Sequence, residues 1–168
     1  MANLVITIGR ENGSGGRQLG SELAAALGVK CYDSELINET AKASGFAKSF
    51  VETHEEQRPG SFLYSLVTGG GVISDEQPFP VQIFQAQSEV IRAIAARESC
   101  VIVGRLANYI LRKRPNTFNV FVSSDPDWAI QRIMLREHVD ADKARKIRNH
   151  VNHERRDHCM YCTDSYWG

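Results

Sequence analysis

Residues 9–20 read GRENGSGGRQLG, directly after the apolar, β-branched run Leu4-Val5-Ile6-Thr7-Ile8. The residue types in that stretch suit one kind of ligand. Glycines let backbone N–H groups approach an anion closely, and a helix that starts there adds partial positive charge. Arginine is a permanently ionised fork of donors that matches phosphate oxygens. Gly13, Gly15 and Gly16, flanked by Arg10 and Arg17, therefore read as a loop that cradles phosphate. A tight turn whose glycines serve only geometry is the alternative; the strand before, the helix after and the paired arginines argue against it. The common form of such a loop, G-x-x-x-x-G-K-S/T, ends in a lysine and a hydroxyl residue. Here Gly16 and Arg17 follow Gly15. The loop's cation is expected at Arg17, in the first helical turn beside Gln18, with Arg10 as its rival.

Two more places carry candidate chemistry. Gly104-Arg105 follows the continuous apolar run Cys100-Val101-Ile102-Val103. An arginine emerging at the carboxyl end of a parallel strand faces the same crevice as the glycine loop, although a plain surface arginine after a strand looks the same. Arg145, Lys146, Arg148, Arg155 and Arg156 form a basic group near the C-terminus, which as a whole reads as a solvated helix face. Among them, His150 and His153 share a helix face, and Cys159-x-x-Cys162 has zinc-ligand spacing with His158 beside it. The two histidines are closer together than in a zinc finger, which makes a metal site the weaker reading. A redox role for the cysteines is weaker again, because no thioredoxin-like strand precedes them.

These groups need a frame that brings them together. Leu19, Leu23 and Leu27 recur at i, i+4, i+8 and predict a helix with its leucines inward, ended by Gly28. Residues 29–32 predict a short strand, and Asp33 or Ser34 can cap the helix after it. Residues 45–80 mix charge, prolines and a glycine run; one helix is expected near 62–67 and a mobile stretch around 69–71. A long helix from about position 80 should turn Phe84, Ile91, Ile94 and Ala95 inward. Residues 100–103 and 119–123 both read as strands covered on two faces. Asp125-Pro126 is a helix start, and helices are expected over 128–137 and 141–158. Strands alternating with helices imply βαβ units and a parallel sheet, in one domain over 1–168.

Lys and Arg number 20, as do Asp and Glu. That balance removes the diffuse attraction expected of a nucleic-acid or membrane binder. Any anion site must therefore be local. No apolar run approaches a membrane span, the first residues enter a strand pattern without a signal peptide, and four cysteines make no disulfide framework. The cytoplasm is the expected compartment.

With these residues in hand, the chain resembles the cytidylate kinase-like family of P-loop proteins. The resemblance is carried by ITIGRENGSGGRQLG (6–20), CYDSELI (31–37), QSEVIRAIAARESCVIVGRLANYIL (87–111) and RRDHCMYCTDSYWG (155–168), in order along nearly the whole chain. It implies a three-layer α/β P-loop kinase fold, a parallel sheet flanked by helices. A monophosphate-binding insert falls at about 45–80 and a helical, arginine-bearing lid at about 138–160. The resemblance implies a phosphate loop at Gly13, Ser14, Gly15, Gly16 and Arg17, and acceptor contacts at Asp33, Ser34, Gly104 and Arg105. It also implies a lid arginine, Arg155, eight positions before Thr163, that reaches the transferring phosphoryl.

Relative to true cytidylate kinases, Gly16 stands for the loop lysine and the metal-binding hydroxyl is absent. Val103 stands for an acidic residue, Glu39 for an arginine and Asn152 for a lid aspartate. The expected activity is transfer of the γ-phosphoryl of ATP to a small acceptor, a nucleoside monophosphate such as CMP. Mg2+ would come with the nucleotide, and the partners would be small-molecule nucleotides alone. Arg17 and Arg155 are then catalytic, while Arg10, the loop residues and Gln18 hold the donor. A catalytically degenerate nucleotide sensor is the alternative.

Overall fold

The computed structural model describes residues 3–44 and 79–168; the helix expected near 62–67 and the glycine run at 69–71 lie outside them. Among the described residues, β1 (Val5–Arg10), β2 (Lys30–Tyr32), β3 (Cys100–Val103) and β4 (Thr117–Val122) form one sheet in the order β2-β3-β1-β4. All three pairings are parallel. Helices α1 (Gly16–Leu27), α2 (Glu35–Ser44), α3 (Phe79–Arg97), α4 (Ala107–Ile110), α5 (Pro126–Glu137) and α6 (Ala141–Thr163) complete the described elements.

All four residues of β3 are buried, as an apolar strand covered on both faces must be. On one face Val5, Cys100 and Ile102 pack with Leu36 of α2, with Ile91, Ile94 and Ala95 of α3, and with Ala107 and Ile110 of α4. On the other, Ile8, Val101 and Val103 pack against Ala24 of α1. Helices on both faces of a parallel sheet give the expected three-layer α/β architecture. In α3 the inward face is the expected one, extended by Ile83 and Gln87, with Phe84 at its border.

Two expectations are corrected. Leu19 and Leu27 of α1 are 42% and 47% exposed, and the buried face is instead Gly16, Gly20 and Ala24. A Cβ on Gly20 would meet Val103 at 2.7 Å and Ile8 at 3.2 Å. The helix lies so close to the sheet that its small residues are the ones fully buried there, with Leu23 only partly buried beside them. The second correction concerns β4, which is an edge strand rather than one covered on both faces; Phe118 is 63% exposed, and Val120 and Phe121 also reach solvent. An apolar run looks the same at the edge of a sheet as inside it.

Local signals set the remaining boundaries. Gly28 ends α1 in the left-handed conformation, its N–H bonded to Ala24 and Ala25 carbonyls. Asp125 accepts from the N–H groups of Asp127 and Trp128 at 2.9 and 3.2 Å, with Pro126 in the first turn. Asp140 caps α6 in the same way, accepting from Lys143. Ile130 and Ile133 of α5 pack with Ala144 of α6, and this seam carries α6 towards the loop after β1. No helix among the described residues is long and apolar enough to cross a membrane.

Candidate functional site

Parallel strands end at one edge, and there β1 opens into the glycine loop. Gly13 and Gly15 both have φ +84°, a conformation glycine adopts at no steric cost. At Gly13 a Cβ would also lie 2.6 Å from the Ala129 carbonyl of α5. The Ser14 hydroxyl donates to the Glu11 carbonyl at 2.9 Å and accepts from the Gly16 N–H at 3.4 Å, so it is spent on the loop's own curl. Gly15 caps α1 without a side chain, so beyond the Gly16 N–H held by Ser14 the first turn has no side-chain cap of its own and can turn its N–H groups to a ligand.

The two rival cations are placed differently. A Cβ on Gly16 would lie 2.6 Å from the Arg10 Cβ: the stem of Arg10 occupies the volume a side chain at position 16 would need. The Arg10 guanidinium lies against Gly104 at the end of β3. Arg17 instead forms an ion pair with Asp33 and is largely exposed. The structure thus joins an expected donor-side cation to an expected acceptor-side carboxylate, with Ser34 exposed next to it. Gln18 accepts from Arg132 at 2.9 Å.

After β3 the chain turns sharply. Arg105 and Leu106 have φ +57° and +53°, and successive non-glycine residues there cost on the order of 1 kcal/mol each. Strain of this kind collects at functional sites, and Arg105 lines the crevice.

Helix α6 lies along the loop. Arg148 donates to the Glu11 carboxylate at 2.9 Å, the Asn152 side-chain oxygen accepts from the Asn12 N–H at 2.7 Å, and Arg155 donates to the Arg10 carbonyl at 3.2 Å. From α5, Arg136 donates to the Asn12 side-chain oxygen at 3.1 Å, and Arg132 lies over the Trp128 ring beside Gly15.

These groups enclose a cavity of about 940 Å³. Six arginines border it (Arg10, Arg17, Arg105, Arg132, Arg136 and Arg155) together with Gly13, Gly15, Gly16, Gln18, Asp33 and Ser34. Arg10, Arg105 and Arg155 also border a second cavity of about 240 Å³, which Gly104, Gln87, Asn119 and Trp167 line. The two cavities meet at those three arginines. Sequence reasoning missed Arg132 and Arg136 at the cavity, and it read Arg148 as part of a solvated face and Asn152 only as the replacement of a lid aspartate. Their signal was spacing: Arg132 and Arg136 are i, i+4 on α5, and Arg148, Asn152 and Arg155 are i, i+4, i+7 on α6.

Each carboxylate on the larger cavity's wall has a basic partner: Glu11 with Arg148, Asp33 with Arg17, Glu137 with Arg136. A divalent ion there would be held chiefly through a nucleotide's phosphates, as magnesium commonly is. Of the histidines and cysteines of α6, only His158 and Cys162 meet, with the Cys162 sulfur 3.8 Å from His158 Nδ1. His150 pairs with Glu154 and His153 with Asp157, while His158 meets the Phe84 ring edge-on. Burial pushes the Cys162 thiol up to about 12, the reverse of an activated thiolate. Among the described residues no three His, Cys, Asp or Glu side chains are placed to share a metal.

Residues 5–168 match the cytidylate kinase-like family, and the chain belongs to it. A crystal structure of an uncharacterized protein from Eubacterium ventriosum superposes with TM-score 0.72 at 28% identity, over 99% of this chain and 81% of that one. A gluconokinase from Sinorhizobium meliloti gives TM-score 0.46 at 15% identity, over 89% of this chain and 75% of that one. No curated protein matches the sequence.

Proposed function

We propose that this member of the cytidylate kinase-like family transfers the γ-phosphoryl group of ATP to a nucleoside monophosphate such as CMP. The observation that carries the reading is the gathering of six arginines around one cavity above a glycine loop, in a chain of zero net charge. Phosphoryl transfer is catalysed by positioning and charge stabilisation and needs no nucleophilic side chain. The loop N–H groups and Arg10 hold the donor phosphates, with Arg132 and Arg136 on the outer wall. Arg105 holds the acceptor, and Arg155, at the junction of the two cavities, stabilises charge on the moving phosphoryl. Magnesium carried by the nucleotide supplies further neutralisation of the phosphates.

The test is ADP release from ATP in the presence of each common nucleoside monophosphate in turn. Stimulation by at least one of them, cytidylate foremost, is expected. Release no faster than unstimulated hydrolysis with every acceptor overturns the reading. One observation favours a second reading, a nucleotide sensor without transfer: the loop offers neither a lysine nor a free hydroxyl for the metal. Equal ATP affinity with and without magnesium, joined to absent transfer, would select it.

A further inference from the structure

Glu11 is out of place in a loop that receives phosphates, because a carboxylate there repels them. The structure shows what offsets it. Arg148 donates to Glu11 at 2.9 Å, and the two side chains are only 16% and 23% exposed, so dissolved salt screens the pair weakly. One turn on, Asn152 accepts from the Asn12 N–H at 2.7 Å in a buried contact, and Arg155 reaches the Arg10 carbonyl at 3.2 Å. Three consecutive residues, Arg10 at the end of β1 and Glu11 and Asn12 of the loop, are thus gripped by one face of α6. The asparagine at 152 is suited to this task, since it accepts the N–H without adding negative charge next to the ligand.

We propose that α6 is a strap that positions and electrically balances the phosphate loop, with Arg148 and Asn152 as positioning residues for phosphate binding. Arg148 neutralises Glu11, and Asn152 fixes the backbone from which the loop's curl begins. This rests on the phosphate-binding reading of the loop given above. It assigns to Arg148, within a basic group that resembles a solvated surface, a share of the affinity for polyphosphate without contact with the ligand.

The experiment measures binding of inorganic tripolyphosphate, ATP and adenosine by calorimetry. It compares the parent chain, Arg148→Ala, Glu11→Gln and the double variant, with thermal melting followed in parallel. Arg148→Ala should lose roughly tenfold in tripolyphosphate and ATP affinity, the scale of one lost charge interaction. Adenosine, which has no phosphate, should bind all four alike. Glu11→Gln should bind polyphosphate at least as well as the parent, and adding it to Arg148→Ala should restore most of the loss. Should Arg148→Ala not fold, Arg148→Gln replaces it, keeping a donor to Glu11 without the charge. Unchanged tripolyphosphate binding in the Arg148 variant overturns the proposal. So does a loss that Glu11→Gln leaves in place, since that marks a merely structural contact. If the parent itself binds neither tripolyphosphate nor ATP, the proposed function falls, and the strap with it.

Discussion

A side chain at position 16 and the stem of Arg10 compete for one volume, since a Cβ on Gly16 would sit 2.6 Å from the Arg10 Cβ. The two thus exclude each other, and on the phosphate-binding reading proposed above Arg10 is the arginine expected to take the usual lysine's electrostatic part. From the sequence Arg17 looked the better placed, because helical spacing shows that it borders the loop but not that Asp33 waits for it. Charge-assisted hydrogen bonds contribute about 1.5–3 kcal/mol, so Arg10→Ala should weaken ATP binding by roughly ten- to a hundredfold. Arg17→Ala, which removes a largely exposed ion pair, should cost ATP affinity much less. Calorimetry on the two variants decides; the reverse order of losses returns the cation to position 17. Arg105 and Arg155 differ in another way. Arg105→Ala should raise the acceptor KM and leave ATP affinity nearly unchanged, whereas Arg155→Ala should lower kcat more than either KM. Steady-state kinetics with both substrates varied separates them, and equal effects on all three constants would refute the division of labour.

At the scale of elements, the sequence was most legible where local chemistry fixes a boundary. Gly28, Asp125-Pro126 and the run 100–103 all announced what they form, because caps and buried parallel strands depend on few residues. It was least legible where packing distance decides. A leucine stripe and a glycine–alanine stripe run along α1 side by side; the latter is buried against the sheet, and of the former only Leu23 packs there, partly buried. Hydrophobicity ranks the leucines higher, yet close approach needs the smaller residues. The consequence is measurable. Gly20→Ala gains helix propensity of about 1 kcal/mol, but its methyl would meet Val103 at 2.7 Å and Ile8 at 3.2 Å. Overpacking of this kind costs typically 1–3 kcal/mol, so the variant should be net destabilised, and Gly20→Val more so. Urea midpoints test this; a Gly20→Ala variant more stable than the parent would show that α1 moves off the sheet freely. Such movement would also shift the loop that α1 carries, so a small stability change with a large loss of ATP affinity remains consistent with the packing.

Across the whole molecule the sheet's two edges do different work. The carboxyl edge carries the strained turns, the glycine loop and the arginines. Near the amino edge a polar pin joins β2, α3 and the approach to β3. Tyr32 donates to Glu98 at 2.7 Å, Arg97 donates to the same oxygen at 2.6 Å, and Lys30 lies 3.5 Å from the other. The Tyr32 hydrogen bond foremost, then Arg97, holds the Glu98 carboxyl down at about 2, against an ordinary 4.5. A lowered folded-state value means that the stabilisation is complete above about pH 4.5 and is lost as pH falls through about 2. On the alkaline side, burial first, and Glu98 second, raise the Tyr32 phenol above 10.0. Its contribution is complete below that value and fades as pH rises beyond it. Comparing urea midpoints of the parent and Glu98→Gln should therefore show a constant gap at neutral and mildly acidic pH that narrows below about pH 4.5. ATP affinity near neutrality should be the same in both chains, because neither Glu98 nor its partners Arg97 and Lys30 border the cavity. A gap that keeps its size down to the lowest pH at which the chains fold would remove Glu98 from the acid response, and altered ATP affinity would mean that the two edges are coupled through β1 and β3.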